Sequence, residues 1–346
     1  MQEKIFITGN EAAVMGAVDA GAKVMFGYPI TPATEILQGW ITKTLADKKL
    51  SFLQTEDEIS AGFGVIGACL AGTKAFTASA GPGHILLQDP VSMSENMRLP
   101  FVGIMMQRGG PSTGTVNFSQ QEVNLAAFGG NGDGLRIVYS ASSIEEMYSL
   151  VVKAFSAAWK YRFPTFVLGD GYLGKMKANV TLKRHLHPVD SKPILSETGE
   201  PTYIRNCYSS EDQLGTVLAK NIADWEHNRE QIVESESFDC TGAKYLIIAH
   251  GLVASAAKDA VGTMRKKGIK IGLFRPITLN PIDTKNLLKV VKGVKHIFII
   301  ESSLNQFSHI VKYELSGLSI KISEIVKPAQ GFTPEEVIEE VKKNNE

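Results

Sequence analysis

Cysteine is scarce in this chain of 346 residues: there are three, Cys69, Cys207 and Cys240, far apart and in no CxxC or Cys/His pattern. That spacing rules out a zinc site or an iron–sulfur cluster built within the chain alone, so any redox centre is expected on a partner. Cys69 falls in a small-residue helix pattern and reads as a packed apolar residue. An excess of one charge is also lacking. Lysine plus arginine and aspartate plus glutamate both total 36, and no basic stripe interleaved with aromatics is present, which argues against nucleic acid as a partner. No run approaches the roughly 18 uninterrupted apolar residues of a membrane span, so no membrane association is expected. There is no GxGxxG at the end of a first strand and no Walker loop, which disfavours a free-standing nucleotide-binding module. The N-terminal stretch MQEKIFITGNEAA has none of the charged, apolar and small-residue zones of a secretory signal, and a cytoplasmic location is the expectation.

What is present is ordinary in bulk and specific in pattern. Apolar residues make up 44% and charged residues 21%, the balance of a globular protein, and the length suffices for two domains. From Lys4 to Leu168 the short apolar runs KIFIT, VMFGY, SFLQT, KAFTAS, FVGIMMQ, LRIVYS and TFVL alternate with helix patterns at 11–22, 34–47, 58–71 and 144–161. Such alternation predicts an α/β fold, with a parallel sheet covered by helices on both faces over residues 1–180. Residues 181–240 break the pattern. Pro188, Pro193 and Pro201 punctuate a polar stretch that leads into the charged, helix-like DWEHNREQIVES, and this reads as a linker or arm. The alternation restarts at Lys244 with YLIIAH, IKIGLFRP and HIFIIES, predicting a second, smaller α/β domain over 241–346. Its last helix is announced by TPEEVIEEVKKN, where Thr333 can cap, Pro334 takes the first helical position and Glu336 can complete a capping box.

In a parallel sheet, ligands bind where loops leave the carboxyl ends of the strands. The loop after the second predicted strand reads GYPITPATEI, with Thr31 held between Pro29 and Pro32; the next three loops are TEDE, AGPGH and RGGPSTG. Glu58 opens a helix rich in glycine and alanine, nine positions before Gly67. The acidic triplet Glu56, Asp57 and Glu58 equally suits a helix N-terminus, where it contributes roughly 0.3–1 kcal/mol. The turn TASAGPGH at 77–84 is of a kind that passes close to ligands. In RGGPSTG at 108–114 an arginine at a strand end precedes glycines and two hydroxyls, a set able to grip a carboxylate or phosphate or, equally, to form a surface loop with an ordinary ion pair. Two GDG triplets, at 132–134 and 169–171, look like the start of a magnesium–diphosphate motif. Neither is followed at the required distance by Asn-Asn, which occurs only at 344–345, so no metal ligand is expected on this chain.

Taken in order, YPITP at 28–32, EDEI at 56–59, SAGPG at 79–83, RGGPSTG at 108–114 and LFRPITLNP at 273–281 resemble the alpha subunit of the 2-oxoacid:ferredoxin oxidoreductases, over most of the chain. The resemblance implies a pyrimidine-binding thiamine diphosphate domain followed by a transketolase C-terminal-like domain. It implies that Glu58, by its spacing to Gly67, is the catalytic carboxyl that promotes the imino tautomer of the cofactor's aminopyrimidine. Tyr28, Pro29, Ile30, Gly81 and Pro82 would line the cofactor. Thr31 and Arg108 would contact the substrate and take part in catalysis, with Ser112 and Thr113 beside them on the substrate side. The sequence departs from the family where GPSTGTVN replaces GPSTGLPT and where YIRNCYSSEDQLG replaces a Gly-Leu-Glu-His-type stretch.

The resemblance further implies partners. A beta subunit would share the thiamine diphosphate and carry Mg2+ and a [4Fe-4S] cluster, and the family allows small gamma and delta subunits as well. The implied reaction is oxidative decarboxylation of a 2-oxoacid with coenzyme A as co-substrate and ferredoxin as electron acceptor, or its reverse. GPSTG points to 2-oxoglutarate, giving succinyl-CoA; 2-oxoisovalerate and pyruvate are the alternatives, and a non-catalytic scaffold subunit is the alternative of another class.

Overall fold

The computed structural model describes residues 2–184, 189–196 and 199–345. Pro188, one of the prolines of the polar stretch, lies outside the described residues. The main sheet has seven strands in the order β12 (Thr278–Asn280), β6 (Ile137–Ser140), β7 (Thr165–Asp170), β5 (Val102–Gln107), β4 (Ala75–Ser79), β2 (Val24–Gly27) and β3 (Ser51–Gln54). Every pairing is parallel except that of β12 with β6. The strands β4, β5, β6 and β7 are buried along their whole length. This is why they read as continuous apolar runs and not as alternations: helices cover both faces of the sheet.

One predicted strand has a different home. The KIFIT segment lies in β1 (Gln2–Thr8), which pairs antiparallel with β8 (Lys177–Lys183) in a separate two-stranded ribbon. An apolar run shows that a strand forms, but not which sheet receives it.

The second sheet has five strands in the order β14 (Lys321–Val326), β13 (His296–Glu301), β10 (Tyr245–Ile248), β11 (Ile271–Pro276) and β9 (Ser235–Phe238), of which β9 alone runs antiparallel. The segment read as a linker thus contains a 22-residue helix, Glu211–Ile232, and the edge strand β9. The polar sequence SESF carries no apolar run to announce a strand. Conversely, β12, within LFRPITLNP, leaves the second sheet's neighbourhood to pair with β6 of the first. The closing helix is capped as the sequence indicates, with Thr333 and Glu336 exchanging the two bonds of a capping box. Among the described residues no helix is long and apolar enough to cross a membrane.

Arg275 and Gln120 are among the side chains that tie one sheet to the other. Arg275, at the end of β11, donates to Glu146 of the helix Ile144–Tyr161 at 2.6 Å and to Glu236 at 3.1 Å. Gln120, fully buried, donates to the His250 carbonyl at 2.8 Å and accepts from the Ser302 N–H at 2.9 Å, at the ends of β10 and β13. The segments that follow β5 and β6 are therefore bonded to the second sheet, through Gln120 and Glu146.

Candidate active site

The loops that follow β2, β4 and β5 converge on one rim. The turn after β2 is anchored from below: the Pro32 carbonyl accepts a bond of 2.9 Å from the Asn10 side chain. This places the Thr31 carbonyl beside Arg108, whose guanidinium Nη1 donates to it at 2.7 Å. Arg108 is only 6% exposed and its Nε has no partner among the described residues. A buried guanidinium nitrogen without an acceptor costs about 1–3 kcal/mol or more, a deficit that an anionic ligand would relieve.

The acidic triplet divides into three roles. Glu56 is exposed. Asp57 caps the helix Glu58–Leu70, its carboxylate accepting from the Ser60 N–H at 2.7 Å; that backbone bond, reinforced by the Ser60 side chain, holds its pKa below the ordinary value. Glu58, the first helical residue, turns inward and is 4% exposed. Burial raises its pKa, against the opposing pull of hydrogen bonds, among them that of the Ser79 hydroxyl at 3.4 Å.

Between these two groups runs the turn Gly81–Pro82–Gly83. A Cβ on Gly81 would stand 2.7 Å from Arg108 Nε, and one on Gly83 would stand 2.1 Å from Glu58 Oε1. Gly81 also has a φ of 53°, which side chains rarely adopt. The carboxyl of Glu58 thus packs against one end of the turn, at Gly83, and the guanidinium of Arg108 against the other, at Gly81.

Of the residues singled out from the sequence, the structure brings Thr31, Glu58, Gly81, Pro82 and Arg108 together through these contacts. Ile30 is half-buried, while Tyr28 and Pro29 are exposed. Ser112 and Thr113 lie in the exposed loop 111–117, Ser112 at a φ of 56°. Sequence reasoning passed over Glu122 and His84. Both are buried, and Glu122 accepts from the backbone N–H groups of Gly81 and Arg108 and contacts the His84 ring. Glu122 sits in a stretch, SQQEV, with no motif of its own; only strand order carries it next to residues 41 and 14 positions away.

Both GDG triplets have local structural duties. Asp133 and Gly134 give their N–H groups to Glu95 Oε1 at 3.1 and 3.0 Å. Asp170 ends β7 and caps the short helix Gly171–Lys175 by accepting from the Leu173 N–H at 2.9 Å. Complete burial raises the Asp170 pKa from 3.8 to about 7. Its folded form therefore holds a proton that the unfolded chain gives up: the contribution to stability is full below about pH 3.8 and is lost as pH rises through about 7. Asparagine caps as well as aspartate and carries no charge. The Asp170→Asn variant is expected to melt above the wild type at about pH 8, with the gap closing as pH falls toward about 4. A pH series of melting temperatures checks this, and a gap that stays constant contradicts it.

Comparison with known proteins gives a consistent picture. Residues 15–233 match the family model described as pyruvate flavodoxin/ferredoxin oxidoreductase, thiamine diphosphate-binding. Residues 243–337 match pyruvate:ferredoxin oxidoreductase core domain II. The chain is 31% identical to the 2-oxoglutarate synthase subunit KorA of Methanocaldococcus jannaschii, covering 93% of each chain. It is 34% identical to the ketoisovalerate oxidoreductase subunit VorB of Methanothermobacter marburgensis, covering 88% of each. Among solved structures it resembles the 2-oxoglutarate:ferredoxin oxidoreductase of Magnetococcus marinus with 2-oxoglutarate, coenzyme A and succinyl-CoA bound. The TM-score is 0.84 at 25% identity, and the match covers all of this chain and 66% of that one.

Proposed function

This chain belongs to the pyruvate flavodoxin/ferredoxin oxidoreductase family and is a subunit of a multi-subunit 2-oxoacid oxidoreductase, and from that premise we propose that it is the alpha subunit of a 2-oxoglutarate:ferredoxin oxidoreductase. The reaction joins 2-oxoglutarate and coenzyme A to give succinyl-CoA, carbon dioxide and two electrons for ferredoxin, or runs in reverse. One observation carries the reading: a buried carboxyl and a buried guanidinium flank the same bare glycine turn, Glu58 against Gly83 and Arg108 against Gly81.

The residues fit half of a thiamine diphosphate site. The carboxyl of Glu58 packs directly on the bare Cα of Gly83 and has its pKa raised by burial, a group suited to hydrogen-bonding an aminopyrimidine. Glu58 and the backbone of Gly81–Pro82–Gly83 would hold that ring, with Tyr28, Pro29 and Ile30 bordering it. When bound, the cofactor supplies the carbon nucleophile for the ketone and the electron sink for loss of carbon dioxide. Glu58 would hold or release a proton toward that ring, its carboxyl kept nearer to protonation by burial than a surface glutamate. Arg108, with an unpartnered Nε and its Nη1 fixed on Thr31, orients the substrate carboxylate. The Thr31 hydroxyl, between two prolines, would complete the substrate side with little freedom left to lose, and Ser112 and Thr113 of the exposed loop after Arg108 would join it there.

The other half of the site belongs to a beta subunit, which would bring the diphosphate-binding groups, Mg2+ and the [4Fe-4S] cluster; gamma and delta subunits are further partners of this assembly. Support for a partner at this face comes from Tyr28, Leu53, Phe63, Ile85 and Leu86, large apolar side chains left exposed on the elements that carry the site. Support for 2-oxoglutarate comes from the archaeal 2-oxoglutarate synthase relative and the ligand-bound bacterial structure. The somewhat higher identity to a ketoisovalerate subunit favours 2-oxoisovalerate as the second reading.

The test is coenzyme A-dependent viologen reduction by the anaerobically purified complex, with 2-oxoglutarate, 2-oxoisovalerate and pyruvate compared. We expect kcat/KM for 2-oxoglutarate to exceed the others at least about tenfold, the scale on which a pocket separates related acids. Equal or greater activity with 2-oxoisovalerate transfers the substrate to the second reading. No turnover of any 2-oxoacid by a cofactor-loaded complex would leave the scaffold role.

A further inference from the structure

One buried carboxylate joins the two halves of the site. Glu122, 4% exposed, uses a single oxygen, Oε1, to accept from the Gly81 N–H at 2.9 Å and from the Arg108 N–H at 3.0 Å. Its second oxygen contacts His84 Nδ1 at 2.9 Å. His84 follows the glycine turn directly, so three contacts from one side chain tie that turn to the end of β5. The carboxylate itself has no freedom to follow either loop alone. The Glu122 N–H donates to Gln107 Oε1 at 3.3 Å, and the Gln107 amide donates in turn to the Gly169 carbonyl of β7 at 3.1 Å. Two residues earlier, Gln120 is bonded to His250 and Ser302 of the second unit. Glu122 is therefore braced by both sheets and presents its oxygens to the site from beneath.

We propose that Glu122 is a positioning residue that sets the spacing between the cofactor-facing turn at Gly81 and the substrate-facing Arg108. The inference rests on the reading that Gly81 backs the cofactor and Arg108 meets the 2-oxoacid carboxylate. A carboxylate accepting two N–H groups on one oxygen fixes the distance between their donors, because a shift of either one weakens its bond steeply with length and angle. What Glu122 supplies is thus a shared register: cofactor and substrate bind to surfaces that cannot drift apart. Its charge is secondary to its reach.

Two substitutions separate reach from charge. Glu122→Gln keeps the length and an oxygen able to accept both N–H groups. Glu122→Asp keeps the charge but withdraws the carboxylate by one methylene, so both bonds lengthen together. Hydrogen–deuterium exchange on the complex stripped of thiamine diphosphate reports on the two amides without any turnover. The Asp variant is expected to lose about tenfold or more in protection in the peptides containing Gly81 and Arg108, the consequence of losing bonds to a charged acceptor. In the same variant the Kd for added thiamine diphosphate and the KM for the 2-oxoacid should rise together, each about tenfold. The Gln variant should stay within about threefold of wild type in protection and in both constants, since its oxygen keeps both N–H bonds and its amide NH2 can donate to His84 Nδ1 once that ring carries its proton on Nε2.

Protection lost in only one peptide of the Asp variant, or only one constant raised, overturns the coupling. A Gln variant as impaired as the Asp variant overturns positioning and assigns the effect to charge. If the Asp variant does not assemble, the Gln variant is judged against wild type: protection and both constants within about threefold support positioning by reach, and a loss of about tenfold or more in them overturns it. A wild-type complex that turns over no 2-oxoacid defeats the functional reading instead, while the exchange measurement still judges the clamp.

Discussion

Glu58→Gln is expected to lower kcat by about 10²–10⁴-fold, the range contributed by a positioned proton-transfer group, while leaving KM for the 2-oxoacid within about threefold. Glutamine matches glutamate in volume, so it can occupy the same slot beneath Gly83 and still accept from the Ser79 hydroxyl. It cannot gain or lose a proton. Burial holds the Glu58 carboxyl nearer to protonation than a surface glutamate, and the amide removes its capacity to exchange a proton. Glu58 lies against Gly83 and Arg108 against Gly81, at opposite ends of the turn, so on the proposed reading substrate affinity should be little affected. Steady-state viologen reduction with the purified complex measures both constants. A variant that assembles and keeps most of its kcat would remove Glu58 from the chemistry and favour the scaffold role.

Much of this arrangement is legible in the sequence, and the physical reason differs from part to part. The strands β4 to β7 could be read because burial on both faces makes them continuous apolar runs. Helix starts could be read where a capping side chain precedes them, as with Thr333 and Glu336. The resemblance distinguishes Glu58 from Glu56 through the spacing to Gly67. The structure gives a local reason for the difference between them: Asp57 takes the capping position, which leaves Glu58 one step into the helix and turned toward the glycine turn, and Glu56 in solvent.

Other features left no mark that a single sequence can show. Strand order is set by crossovers and not by composition, so nothing in KIFIT tells that β1 pairs with β8 outside the main sheet. The edge strands β9 and β12 are short and polar or solitary, and they are strands only because a neighbour offers free N–H and C=O groups. Glu122 is the case with most bearing on function. A carboxylate in SQQEV looks like surface charge until the chain path brings Gly81 and Arg108 to its oxygen. Long-range polar contacts of this kind have no period and no fixed spacing, so only the assembled rim reveals them.

Gly83→Ala is expected to lower kcat by about 10²-fold, the scale at which a misplacement of about 1 Å disables a catalytic group. The new methyl carbon would stand 2.1 Å from Glu58 Oε1, 2.2 Å from the Ser79 hydroxyl and 2.6 Å from the Glu58 carboxyl carbon. Unlike Gly81, Gly83 is not at a positive φ and opens a helical turn where alanine is conformationally welcome. Backbone strain is therefore not the cause of damage; displacement of the Glu58 carboxyl is. This makes the prediction sharper when the two substitutions are combined. If alanine acts through Glu58, then Gly83→Ala together with Glu58→Gln should be no slower than Glu58→Gln alone to within a few-fold, because the group being displaced has already lost its proton-transfer role. If the two losses multiply, the turn serves the reaction by a route that does not pass through Glu58. If Gly83→Ala keeps wild-type kcat, the carboxyl has room to move without consequence, and the close contact between turn and carboxyl is packing alone.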